Sequence, residues 1–424
     1  MSRERLDIAA SWFHRQEKKI DRVLFGILIV LYSVLMFMLF YWQAVEYEGA
    51  YYSDMKAYIQ EIQGLESGYE FPYRLFFWIS RLWLLVVSPE VAAAFSTMLL
   101  NSLAVVLLKY YMDKNLRKYA EESQVQWNLF WDGAVNILVF FLFFVSMYFG
   151  PKEEKIWGYD YIYRCCGILT PNPYWNATYL AVRPFTIICF FLTSELLEKY
   201  EERIPVRKAL ALSISLFMAT YTKPSFTFIL LPVIGLILLF RLLYRKFSNW
   251  KNTLLFGCCF LPTGILLIYQ YLGVFTGSNS LGEETGIGFA LGKAWHIFSG
   301  NIPLSIMLAL LFPFGVLALN AVELRKNVQF RLAWQLLVVG MLTFLLLYEK
   351  GFRLEHMNFS WGYMHGLFFV FMVCGYQVLK NLMGWKPWIY KVFVLPELFL
   401  FWYHLRCGLE FFIYLYQGNN MGVF

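Results

Sequence analysis

Apolar stretches of 16 to 27 residues recur along the chain, separated by short polar connections. A helix needs about 20 apolar residues to cross a ~30 Å hydrocarbon layer. Segments that meet this pattern are predicted near 23–42, 89–109, 131–150, 178–197, 207–222, 224–241, 253–274, 302–322, 331–348, 361–380 and 391–417. They predict an all-α polytopic transmembrane bundle of about eleven spans, a single membrane domain over 1–424 with no soluble C-terminal domain. The fifth and sixth segments meet at the tight turn "YTKPSF", so one broken span is the alternative there. The run "LFFWISRLWLLVV" at 75–87 is too short to cross and holds Arg81, which predicts an interfacial or re-entrant piece. The opening "MSRERLDIAASWFHRQEKKIDR" is charged throughout, and no small-residue cleavage site follows the first apolar run. That run is expected to be a retained anchor and not a signal peptide.

Composition removes the soluble classes: only 15% of residues are charged, against about 25% in a typical soluble domain. The net charge of +7 raises nucleic acid as a partner, but its distribution points to membrane orientation. With the N-terminus inside, roughly two-thirds of the 36 Lys and Arg residues fall on the inner side, and every inner loop is basic. An odd span count then puts the C-terminus outside. The long connections 43–88 (the first outer loop), 151–177 (the second), 275–301 and 349–360 lie on the outer side, which marks it as the working face. The seven cysteines include no C-x-x-C and the five histidines are scattered, so neither a metal centre nor a cofactor is expected.

Four outer stretches carry chemistry. In "YYSDMKAYIQEIQG", Ser53 is a fair N-cap and Met55, Tyr58, Ile59 and Ile62 share one helical face. Asp54 is then held at the membrane surface in the first turn, either as a solvated carboxylate countering the helix dipole or as a reactive group. The stretch "WGYDYIYRCCGILTPNPYWNATYLAVRPF" sets Trp175 and several tyrosines beside Asp160, Asn172 and Asn176. Aromatic faces with amide and carboxylate partners suit a sugar ring, although an interfacial aromatic belt gives the same pattern. Arg183 lies several residues inside the fourth span, where an unpaired guanidinium is costly, and is expected to face a polar cavity or an anion. In "YTKPSF", Lys223 precedes Pro224 at the start of a helix, a ready anion site or simply a snorkelling lysine. In "YEKGFRLEHMNFSWGYMHG", Glu349, Arg353, Glu355, His356 and Asn358 crowd one short loop. Three cations at similar depth favour a phosphate-bearing ligand that enters from the bilayer.

With "YYSDMKAYIQEI" in the first outer loop, "TPNPYWNATYLAVRPF" leading into the fourth span, "KPSF" and "EKGFRLEHMNFSWGY", the chain resembles the GT-C superfamily of membrane glycosyltransferases. The likeness covers most of the chain as topology, and is nearest to bacterial members that decorate cell-wall or capsular polysaccharide. It implies a polyprenyl-phosphate-linked sugar as donor, a glycan acceptor, and membrane lipids as surroundings. It also implies Asp54 as catalytic base, with Arg353, Lys223 and Arg183 on the donor phosphate. Tyr58, Asp160, Asn172, Trp175, Asn176, Glu349 and Asn358 are then expected around sugar or acceptor. Many relatives carry a second acid or a His close after the first-loop Asp; here Lys56 and Tyr58 follow, and Glu61 is two turns on. Metal-independent turnover is therefore expected. A transporter or flippase for lipid-linked glycan, or a polysaccharide polymerase or ligase, is the alternative.

Overall fold

The computed structural model describes residues 3–46, 49–69, 71–147, 155–156, 159–160, 169–275, 286–384 and 391–419. The chain runs α1 Arg3–Val45, α2 Met55–Gln63, α3 Leu75–Trp83, α4 Pro89–Glu122, α5 Leu129–Leu142, then strands β1 Lys155–Ile156 and β2 Tyr159–Asp160. It continues with α6 Ala177–Lys199, α7 Val206–Thr222, α8 Ser225–Tyr244, α9 Trp250–Cys258, α10 Leu261–Phe275, β3 Ile287–Phe289 and α11 Lys293–His296. The last elements are α12 Ile302–Leu324, α13 Val328–Leu346, β4 Leu347–Glu349, a 3-10 turn Gly351–His356, α14 Ser360–Met383 and α15 Val394–Tyr416. β1 pairs with β2 and β3 with β4, both antiparallel. The fold is a helical bundle.

Among the described residues eight helices are long and apolar enough to cross a membrane, or nine if α9 and α10, bent by 46° at their junction, count as one span. The protein is membrane-embedded and multi-pass. Its outer wall is made of side chains such as Val30, Leu236, Phe240, Ile265, Ile268 and Val322, all exposed. A soluble protein does not show such a surface; lipid tails cover it at no cost. Two of the expected crossings are short: α5 has 14 residues and α7 has 17.

α14 is buried along nearly its whole length, which fits a helix apolar on all sides. Its small residues set the packing distances. A Cβ on Gly366 would stand 2.5 Å from Leu337 Cα, and one on Gly362 would stand 2.7 Å from Ile229 Cγ2. From the other side, a Cβ on Gly340 would meet Tyr363 Cα at 2.8 Å. With no hydrophobic force between helices in lipid, such close approach is what gains van der Waals contact. α15 docks in the same way. The 143–147 stretch after α5 passes so near Gly408 that a Cβ there would fall 1.6 Å from the Phe144 carbonyl oxygen. Ser146 N–H donates to the His404 carbonyl (3.1 Å), and the His404 ring, at 2.7 Å, hydrogen-bonds the Ser146 carbonyl through Nδ1.

Helix direction alternates, so the starts of α6, α8 and α14 and the end of α13 gather at one end of the bundle with α2. The opposite end is tied by ion pairs. Lys114 and Lys208 both reach Glu195 at 2.7 Å, Arg245 reaches Glu201 at 2.8 Å, and Arg117 pairs with Asp132.

Candidate functional site

α2 forms as its periodicity predicts, with Met55, Tyr58, Ile59 and Ile62 all buried. Ser53 Oγ accepts from Met55 N–H at 3.2 Å. Asp54 occupies the N-cap position without capping, since its side chain makes no cap bond. It is half-buried and turns across to α6, where Asn176 Nδ2 donates to its Oδ2 at 2.5 Å. Asp54 is thus hydrogen-bonded across to α6 while standing at the N-terminus of α2.

Asn176 is the junction of the site. Its Oδ1 accepts from Tyr179 N–H (2.9 Å), which caps α6. The same oxygen accepts from Thr178 Oγ1 (3.0 Å) and from Lys223 Nζ (3.3 Å). Because Oδ1 must face those donors, Nδ2 is left to face Asp54, and it also donates to Tyr58 OH at 3.0 Å. One amide thus joins a carboxylate on one side to an ammonium on the other. Lys223 sits in extended backbone between α7 and α8, with Pro224 at the cap position of α8. Its Nζ also donates to Thr178 Oγ1 at 3.2 Å and lies 4.5 Å from the centre of the Trp361 ring and 5.6 Å from that of Tyr73.

These surroundings shift the charges. Burial raises the Asp54 carboxyl above the usual carboxylate range, opposed by Lys223 and by the bonds from Asn176 and Tyr58. Burial lowers the Lys223 ammonium to about 8, opposed by Asp54. Tyr73 and Tyr69 each feel both Asp54 and Arg353, and Tyr73 feels Glu349 as well, which puts Arg353 and Glu349 in the same electrostatic neighbourhood. Glu349 is buried and accepts from Asn358 Nδ2, while Trp361 Nε1 donates to Asn358 Oδ1 at 3.3 Å. Burial raises the Glu349 carboxyl, countered by Asn358 and Arg353. Trp175 packs near Trp361, with ring centres 6.2 Å apart. Tyr179 stacks on His365 at 4.3 Å, and His365 Nε2 is 3.1 Å from Ser225 Oγ.

Asp54, Tyr58, Trp175, Asn176, Lys223, Glu349 and Asn358 therefore come together through these contacts and Trp361, and the Arg353 charge acts on Tyr69, Tyr73 and Glu349. Asn172 and Arg183 do not join them. Asn172 Nδ2 donates to the carbonyls of Leu142 (3.0 Å) and Val145 (2.8 Å), and its Oδ1 accepts from Arg183 Nη2 at 2.7 Å. Arg183 also donates to the Pro171 carbonyl and is enclosed by the rings of Phe143, Phe368 and Tyr179 at 5.1–5.4 Å. It bonds the loop before α6, away from the Asp54–Asn176–Lys223 cluster. The Asp160 side chain, and with it Trp157, Tyr161 and Tyr163, lies outside the described residues; the Asp160 backbone pairs with Lys155. Glu61 is committed to Arg74 and Arg81. Among the described residues no three His, Cys, Asp or Glu side chains converge as a metal would require. Thr178, Tyr73, Trp361 and His365 are participants that pattern reading did not single out. Thr178 follows Asn176 by two residues and Trp361 follows Asn358 by three, so both stood inside stretches already of interest.

No protein-family model matches the chain, and no curated protein matches it in sequence.

Proposed function

We propose that the protein is a membrane glycosyltransferase of GT-C type. It moves a sugar from a polyprenyl-phosphate donor to a cell-envelope glycan or lipid-linked acceptor on the extracytoplasmic face. The observation that carries this reading is the Asp54–Asn176–Lys223 arrangement, a base and a cation fixed across one amide beside the aromatic rings of Trp175 and Trp361. Asn176 and Tyr58 both engage Oδ2, which leaves Oδ1 of Asp54 to take the proton from an acceptor hydroxyl. The hydroxyl oxygen attacks the anomeric carbon, the bond from that carbon to the phosphate oxygen breaks, and polyprenyl phosphate departs with the bonding pair. A positioned base contributes typically ~10²–10⁴-fold. The charge gained by the phosphate is met by Lys223, Arg353 and the N-terminal ends of α6, α8 and α14, which need no reorganisation at that moment. Topology supports the reading too. Counting α5, α7 and the bent α9–α10 pair as crossings gives eleven, and with the N-terminus inside, as the distribution of Lys and Arg favours, the Asp54 end lies outside.

The test is transfer from a polyprenyl-phosphate-sugar in proteoliposomes, wild type against Asp54→Asn, together with glycan analysis of the envelope of a deletion strain. A deletion strain with unchanged glycan, or wild-type turnover in the variant, defeats the proposal. A lipid-linked-glycan transporter is the second reading, favoured by buried Glu397, which accepts from Asn320 Nδ2 at 2.7 Å within the spans. Substrate movement without a new glycosidic bond would select it.

A further inference from the structure

At the end of the bundle away from Asp54, α6, α8 and α13 part around a groove of about 350 Å³. Its walls are apolar, with Leu236 and Phe240 from α8 and Leu332 from α13, and its rim carries Arg241, Arg331 and Gln335. Ser225 of α8 belongs to the site end, and Arg241 lies 16 residues further on, about 24 Å at helical rise. Arg331 stands in the first turn of α13 and Arg241 in the last turn of α8, so the two guanidiniums share one membrane boundary. Arg331 and Gln335, one turn apart, share a helix face.

The two arginines are satisfied differently. Arg241 donates to the Leu197 carbonyl at 2.7 Å and stands 4.0 Å from Glu201, whose other oxygen is taken by Arg245. Arg331 donates to the Arg325 carbonyl at 2.7 Å, and among the described residues no carboxylate lies within ion-pair distance of it. A cation without a counter-charge, above an apolar groove that opens toward lipid, is complementary to one class of molecule. The groove takes an acyl chain, and the rim takes a phosphate through Arg331, helped by Arg241 and Gln335. We propose that this groove is a binding site for an anionic phospholipid in the leaflet opposite Asp54. Snorkelling arginines alone would contact any headgroup. A built site prefers a net negative lipid and depends on the groove being open.

The experiment is native mass spectrometry of the detergent-purified full chain, with phosphatidylglycerol or phosphatidylcholine added at equal concentration. Sugar transfer is not part of the readout, so its outcome is separate from that of the glycosyltransferase reading. The wild type is expected to retain phosphatidylglycerol about tenfold more than phosphatidylcholine, the scale of one desolvated charge-assisted contact. Arg331→Ala is expected to reduce that ratio to about two or below. Leu236→Trp, which fills the groove and leaves both arginines, is expected to do the same, while Lys326→Ala, an exposed cation beside the groove, leaves the ratio unchanged. Equal retention of the two lipids by the wild type overturns the proposal. So does an unchanged preference in either groove variant, or a loss in Lys326→Ala as large as that in Arg331→Ala.

Discussion

Lys223→Met isolates the electrostatic part of the site. Methionine keeps an unbranched stem against the Trp361 ring and removes the charge, so the change is chemical more than steric. In the wild type the ammonium donates to Asn176 and Thr178 at 3.3 and 3.2 Å, and these bonds fix it close to Asp54. A hydrogen bond from a charged group contributes about 1.5–3 kcal/mol. If a departing phosphate draws on one such contact, kcat/KM should fall roughly 10- to 150-fold, at ~1.4 kcal/mol per decade. The pH profile gives a sharper check. Lys223 must be protonated to serve, and burial has lowered it to about 8, so wild-type activity should decline as pH rises through that value. Asp54 must be ionised, and its raised carboxyl should shut activity off on acidification earlier than an ordinary carboxylate would. In Lys223→Met the alkaline decline should vanish. The acid limb should move to higher pH, because the cation that opposed the rise in Asp54 is gone. Lys223→Arg should push the alkaline decline beyond the measurable range. A Lys223→Met protein that keeps both wild-type kcat/KM and a decline near pH 8 would refute the assignment.

Asp54→Asn should be extracted and folded as the wild type is while turnover drops by ~10²–10⁴-fold in proteoliposomes; a loss of expression instead would mean a structural carboxylate. Arg353→Ala should raise the KM for the lipid-linked donor more than it lowers kcat, and unchanged donor dependence would remove Arg353 from the phosphate. Asn176→Asp keeps an N-cap oxygen for Tyr179 but sets a second carboxylate against Asp54, so the melting temperature should hold while transfer is lost. Transfer at the wild-type rate would show that the amide is not what orders the base. Gly408→Ala should destabilise by about 1–3 kcal/mol or more, because the Phe144 backbone cannot yield to a Cβ 1.6 Å away, and an unshifted melting temperature would deny that contact.

What sequence pattern made legible follows from what periodicity measures. The apolar runs report the bilayer directly, so the bundle, the amphipathic face of α2 and the shortness of α3 are all visible in it. Helix ends are less visible, because they are set by caps and packing. α5 stops at Leu142 although the apolar run continues, since residues 143–147 leave the helix to dock on α15. Convergence at the pocket was legible as shared depth, a property of span ends. Partner choice was not. Arg183 and Lys223 look alike in sequence as cations in the outer part of the spans, yet Arg183 lies about two helical turns further in than Asn176. From there it bonds the Pro171 carbonyl and Asn172 instead of the Asp54–Lys223 cluster.

The position of Asn176 explains why the site depends on the fold as a whole. The residue caps α6, so its side-chain orientation is dictated by a backbone N–H that cannot move without unwinding the helix. That orientation decides which edge meets Asp54 and which meets Lys223. Asp54 and Lys223 come from segments 169 residues apart, and the capping residue brings both to one amide. Any motion that slides α6 along its axis would therefore move the carboxylate's partner and the ammonium's partner together. Both charges hydrogen-bond to that one amide, so the orientation of Asn176 ties their positions together.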